Sequence, residues 1–248
     1  KPMSTHPLDV TVHPSLEDLG EVTAARAAAA INAAIADHGS ARVMLAAAPS
    51  QTPTLTALAR ADVDFDRVTF FHMDDYLGLA PDAPQGFGNW LVSHFFDLAP
   101  GTPTFHRLDP GAPGEQAASD YAALMGEEPF DVTLCGLGVN AHLAFNDPPA
   151  DFAEPRAVRV VDLTVASRQQ QVDEGHFPSL DAVPEHALTV TIPRLLNASV
   201  VICSVLGAAK KDAVAATIAS DPTPDIPGTA LKLHPAAELH VDREAAGA

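Results

Sequence analysis

The stretch FDVTLCGLGVNAHLAFNDPP, residues 130–149, decides how the chain is to be read. It begins as an apolar run, Val132-Thr133-Leu134-Cys135, and breaks on two glycines. A lone histidine, a short apolar segment and an Asn-Asp-Pro-Pro stop follow. A strand apolar along its whole length must be covered on both faces, which is the situation of a parallel sheet flanked by helices. The polar residues after it then lie beyond a strand's carboxyl end, where open α/β sheets bind ligands.

The rest of the chain alternates in the same way. ARVMLAAA (41–48), DRVTFFHM (66–73), TPTFHRL (102–108), AVRVVDLT (157–164), ALTVTIPRLLNAS (187–199), VVICSVLG (200–207) and AELHVD (237–242) read as strands or strand-containing segments. Between them lie helical patterns at 54–61, 89–99, 114–127 and 208–220. One long helix precedes them all, with Ser15 as N-cap, acids in its first turn and Gly39 at its end. The expectation is an α/β fold, a doubly wound, largely parallel sheet with helices on both faces, formed by a single domain over 1–248. No repeat, low-complexity tract or linker divides the sequence.

With 248 residues, 47% of them hydrophobic, the chain has enough apolar surface for a substantial core. Its 32 acidic and 14 basic side chains leave a formal charge of −18. That sign opposes binding to nucleic acid or to an anionic membrane. No run reaches the length of a membrane span, and the start lacks the apolar core of a signal peptide. Cys135 and Cys203 lie in apolar runs, as small core residues of a reducing compartment do. A cytoplasmic location is expected.

Three polar clusters follow strands and should converge on one crevice: PSQTP (49–53), HMDDYLG (72–78) and GLGVNAH (136–142). Gly136, Gly138 and Ala141, with Asp162 further on, satisfy a dinucleotide fingerprint in spacing. Pro148, Pro149 and Pro155 interrupt the helix which that motif requires, so the glycines are read as permitting close approach to a substrate. His142, with Asp147 nearby, suits acid–base work near neutral pH. Asp74 and Asp75 are adjacent carboxylates after an apolar strand, and at least one of them reads equally well as a turn or cap residue. His72, Asp74 and His142 lack the ordered spacing of a metal site. Residue chemistry alone indicates proton movement on a small polar substrate.

In these residues the sequence resembles the glucosamine-6-phosphate deaminase (isomerase) family. The resemblance is carried by HMDDYLGL (72–79), GLGVNAHLAFNDPP (136–149), HALTVTIPRLL (186–196), LGAAKKDA (206–213) and KLHPAAELHVD (232–242). It implies deamination with aldose–ketose isomerisation of an amino-sugar phosphate, glucosamine-6-phosphate to fructose-6-phosphate and ammonia, with no cofactor and no metal. By the same resemblance Asp74 moves a proton between C2 and C1, and His142 opens the pyranose ring. Asp147 supports that step from a position usually held by glutamate, and Asn140 stands where an aspartate commonly orients the histidine. Asp75, Gly136 and Gly138 fall on the substrate side. Lys210 and Arg168 match basic phosphate contacts, and Ser50, Gln51 and Thr52 belong to the loop that meets the phosphate. That loop departs from the family pattern by having no glycine. The related 6-phosphogluconolactonases, another sugar-phosphate isomerase and a non-catalytic sugar binder are the alternatives. A homo-oligomer is possible, and activation by N-acetylglucosamine-6-phosphate is not expected.

Overall fold

The computed structural model describes residues 4–248. Seven parallel strands make the main sheet: β1 (Asp9–His13), β2 (Ala41–Leu45), β3 (Val68–His72), β5 (Thr104–His106), β6 (Phe130–Cys135), β9 (Ala198–Val205) and β10 (Ala237–Asp242). Their spatial order is β1-β10-β9-β6-β2-β3-β5. From β2 the sheet grows outward through β3 and β5, and from β6 it grows the other way through β9 and β10. The switch point lies between β2 and β6, where Val43 stands beside Val132.

Alternation along the strands distributes the core to both faces. Val43, Leu45, Phe70, Leu134 and Ile202 join α1 (Leu16–His38) and α2 (Thr52–Ala59) on one face. Met44, Phe71, Cys135, Val201 and Cys203 pack on the other with α4 (Gly114–Met125) and α7 (Lys211–Ala219). Adjacent residues of one strand therefore serve opposite cores, which is why these runs are mostly apolar instead of alternating. Helix α1 is bounded as its sequence predicts: Ser15 accepts from the Asp18 N–H, and Gly39 closes the helix at φ +87° with its N–H on the Ile35 carbonyl.

Two expected members of the parallel sheet sit elsewhere. β7 (Val158–Asp162) and β8 (His186–Val190) form a separate antiparallel sheet with β4 (Asp74–Tyr76), in the order β4-β8-β7. Residues 74–76 are thus a strand, where a polar loop was expected. Met73 joins the two sheets: its N–H donates to the Leu45 carbonyl, and its own carbonyl accepts from Val190. The small sheet has no separate core, since Tyr76 and Ala187 pack into one main cluster and Leu188 and Val190 into the other.

Asp75 fastens this junction. Its buried carboxylate accepts from the backbone N–H groups of Tyr76, Phe87 and Gly88, joining β4 to α3 (Phe87–Leu91). Asp75→Ala would leave these three donors unpaired in the interior. A loss of about 3 kcal/mol or more is expected, each unsatisfied buried group costing about 1–3 kcal/mol. Urea unfolding midpoints, read against Asp75→Asn, check this; a change under about 1 kcal/mol would contradict the anchoring role.

Candidate active site

The cleft at the switch point contains about 490 Å³ of empty space, open solvent at its mouth included. Its walls come from the turn after β2 (Ala46–Ala48 and Ser50), from Met73 and Asp74 at the sheet junction, and from Gly136–Gly138 after β6. His142, α5 (Val165–Asp173) with the following Glu174, and Lys210 ahead of α7 complete it. All three polar clusters noted in the sequence contribute, as strands ending at one switch point require.

His142 is held from behind. Its Nδ1 lies 2.7 Å from Asn140 Oδ1, 3.1 Å from Ser167 Oγ and 3.3 Å from Asp147 Oδ1. Ser167 donates to the same Asp147 oxygen at 2.6 Å, and Asn140 Nδ2 reaches it at 3.3 Å. Burial opposes ionisation of Asp147, but hydrogen bonds and charge from His142, with Ser167 and Asn140, prevail and hold the carboxyl below its ordinary range. With Nδ1 committed to this cluster, Nε2 is the ring nitrogen left for a ligand. Asn140 Oδ1 accepts at Nδ1 without a charge of its own.

The ring lies flat against Gly138. A Cβ there would come within 2.0–2.3 Å of three imidazole atoms, so only glycine fits while His142 keeps its place. The turn also places Ala141 and Ala144 in the left-handed region, at φ 65° and 52°. An L-residue there costs roughly 1–2 kcal/mol, and the bonds from Gly138 N–H to the His142 carbonyl and from Ala141 N–H to the Gly138 carbonyl hold the loop closed. No helix starts at these glycines; the next one after β6 is α5.

Asp74 faces the cleft from the sheet junction. Burial, reinforced by the neighbouring Asp75 charge, raises its pKa well above the ordinary carboxyl value, with no hydrogen bond to offset it. A carboxyl raised in this way is poised for proton transfer nearer neutrality.

The structure also separates several residues that the sequence grouped together. Asp75 is the anchor described above and does not line the cleft. Gln51 is buried, donating to the Cys135 carbonyl and Ser50 Oγ, so it braces the loop from behind. Thr52 opens toward Leu16, Glu17 and Glu21 of α1, away from the cleft. Arg168 points the other way along α5: its Nη2 donates to the Leu180 and Val183 carbonyls beside a different groove. His72 is buried, its Nε2 accepts from Leu108 N–H, and burial with Arg107 nearby lowers its pKa to about 3. Lys210 does reach the cleft, donating to the Leu137 carbonyl.

Sequence reading missed one complete wall. Gln170, Gln171 and Glu174 line the cleft, and Ser167 on the same helix face supports His142. The spacing 167, 170, 171, 174 is one helical face, polar where a core-facing stripe is normally apolar. That inversion was the available signal. Gln170 accepts from Val139 N–H and donates to Glu174, whose carboxylate lies 3.7 Å from Lys210 Nζ.

Two outcomes test this geometry. Gly138→Ala should push the imidazole off its Asn140, Ser167 and Asp147 partners, seen as altered His142 ring resonances by NMR; unchanged resonances would show that the ring does not need this glycine. Asp74→Asn should raise Tm increasingly as pH rises. An unfolded aspartate ionises near about 3.9 whereas the folded one keeps its proton to higher pH, so wild-type stability falls across that window and the amide removes the slope. A Tm difference independent of pH from about 4 upward would show that Asp74 is not raised.

Comparison with known proteins agrees with this fold. The family described as glucosamine-6-phosphate isomerases/6-phosphogluconolactonase matches residues 14–241. A glucosamine-6-phosphate deaminase of Streptococcus sanguinis is 30% identical over 208 residues, 84% of this chain and 87% of that protein. Glucosamine-6-phosphate deaminase 1 of Bacillus subtilis is 29% identical over 188 residues, 75% of this chain and 76% of that one. The structure of a monomeric glucosamine-6-phosphate deaminase superposes with TM-score 0.87 and 27% identity, covering 97% and 99% of the two chains. A 6-phosphogluconolactonase of Shewanella baltica, 15% identical, shares the fold with TM-score 0.78 over 97% of this chain and 100% of that one. With a sheet whose switch point carries a buried carboxylate and an oriented histidine, and with a family match over nearly its whole length, the chain belongs to the glucosamine-6-phosphate isomerase/6-phosphogluconolactonase family of enzymes.

Proposed function

We propose that the protein isomerises an amino-sugar phosphate to the corresponding ketose phosphate with release of ammonia, converting glucosamine-6-phosphate to fructose-6-phosphate. The observation that carries this reading is the presence, in one cleft, of two groups able to move protons: the buried, raised carboxyl of Asp74 and the imidazole of His142, held at Nδ1. Aldose–ketose transfer needs a carboxylate that serves two adjacent carbons, and opening a pyranose needs a second group at the ring oxygen.

In this scheme His142 Nε2, bare because Nδ1 carries the proton, takes the proton of the anomeric hydroxyl and passes it to the ring oxygen as the C1–O5 bond breaks, giving the open-chain aldehyde. Asp74 takes the C2 proton while O1 gains a proton, leaving an enolamine between C1 and C2. Returning the proton to C1 makes an iminium at C2. Water adds there, nitrogen leaves as ammonia, and the C2 carbonyl of the ketose remains. Asp147, Asn140 and Ser167 keep the imidazole in the required tautomer. The relatives named as glucosamine-6-phosphate deaminases support this chemistry. Lactone hydrolysis is the second reading, favoured by the shared fold of 6-phosphogluconolactonases.

A panel of glucosamine, glucosamine-6-phosphate and 6-phosphogluconolactone, read for ammonia and for acid, separates the two. Ammonia with ketose is expected from an amino sugar; acid from the lactone alone would overturn the proposal. Asp74→Asn should lower kcat by roughly 10²–10⁴-fold with KM within a few-fold, because a base acts chiefly in the transition state. His142→Gln should slow closed pyranose far more than an open-chain analogue; equal losses would remove it from ring opening.

A further inference from the structure

Two of the stretches that carry the family resemblance, GLGVNAHLAFNDPP (136–149) and HALTVTIPRLL (186–196), meet through Asn146 and Thr189, neither of which lines the cleft. Both side chains are buried. Thr189 Oγ1 accepts from the Phe145 N–H at 3.1 Å and donates to the Val190 carbonyl at 3.0 Å. Asn146 Nδ2 has two hydrogens and gives one to the Val190 carbonyl at 2.9 Å and one to the Leu143 carbonyl at 2.8 Å. The first of these amide bonds ties the turn after His142 to β8, and the second closes that turn on itself.

The same two residues of β8 also hold the other acid–base group. Thr189 is the register partner of Asp74, and the Val190 N–H donates to the Met73 carbonyl at 2.7 Å. Thus β8 grips the strand of Asp74 with its backbone, and the His142 loop with one hydroxyl and one carbonyl. A buried threonine hydroxyl on a strand is dispensable when only apolar contacts surround it. Here it is the acceptor for a backbone N–H that lies outside both sheets.

We propose that Thr189 and Asn146 are positioning residues of the reaction, pinning the His142 loop to the partner strand of Asp74 so that both groups meet one sugar in register. This rests on the roles proposed for Asp74 and His142. Their targets, the ring oxygen with the anomeric hydroxyl and the C2–C1 pair, are neighbours on a single ring. Groups brought from separate segments tolerate little relative movement there, a misplacement of about 1 Å being able to cost about 10²-fold. Directional hydrogen bonds from one shared strand fix that relation where apolar packing would leave it loose.

Thr189→Val keeps the side-chain shape and removes the acceptor of the Phe145 N–H, whereas Thr189→Ser keeps the hydroxyl. Measured by ammonia release from glucosamine-6-phosphate, Thr189→Val should lower kcat by about tenfold or more with KM within a few-fold, and Thr189→Ser should stay within about threefold of wild type. A residue that acts through His142 has no further effect once the imidazole is gone. In a His142→Gln background, Thr189→Val should therefore leave the remaining rate unchanged. An unchanged kcat in Thr189→Val, a serine variant no better than the valine one, or losses that multiply in the double variant would overturn the proposal. If the wild type releases no ammonia, the proposed reaction fails, and the His142 ring resonances by NMR still decide the positioning. Resonances displaced in Thr189→Val and restored in Thr189→Ser support it, and any other pattern overturns it. If Thr189→Val does not fold, Asn146→Ala is measured in the same background and by the same resonances. Losses that do not multiply, with displaced resonances, then support the proposal, and multiplying losses or unmoved resonances overturn it.

Discussion

Met73 changes sheets in a single residue, and the cleft depends on that step. Its N–H still belongs to the parallel sheet, on Leu45, while its carbonyl belongs to the antiparallel one, on Val190. The chain is thereby turned out of the main sheet beside the switch point, and the next two side chains are set in different environments. Asp75 is surrounded by backbone donors and becomes an anchor. Asp74 has none and faces the cleft. Two identical side chains thus acquire opposite uses through one difference, the number of N–H groups each can reach.

The three carboxylates of the site illustrate the same principle in a chain of net charge −18. Asp74 is buried without compensation and is pushed up. Asp147 and Glu174 are also largely buried, but each has a histidine and further donors, and each is held down. A raised carboxyl suits proton transfer, whereas a depressed one provides a fixed charge. The division of labour is set by partners and not by residue type.

Family membership and substrate therefore rest on different parts of the molecule. The overall fold is shared with relatives, and structures as distant as the 6-phosphogluconolactonases retain it. The wall built by Gln170, Gln171, Glu174 and Lys210 lines the cleft from outside the main sheet.

The sequence by itself determined the strand and helix alternation, because adjacent positions of β2, β3, β6 and β9 all had to be apolar to serve two cores. It also indicated the three polar clusters that meet at the cleft, since ligand sites follow strand ends. His142 and Asp74 were legible through their motifs and the family resemblance. Only the tertiary structure decided that residues 74–76, 158–162 and 186–190 pair in a second sheet, because Asp-Asp-Tyr carries no apolar strand signal and the other two segments do not name the strand they pair with. Only the fold, too, showed which charges share the cleft. Arg168 and Glu174 lie on one helix-bearing segment six residues apart, and a sequence does not say which of them faces the cavity; in the fold Glu174 meets Lys210 in the cleft, while Arg168 is turned to the Leu180 and Val183 carbonyls.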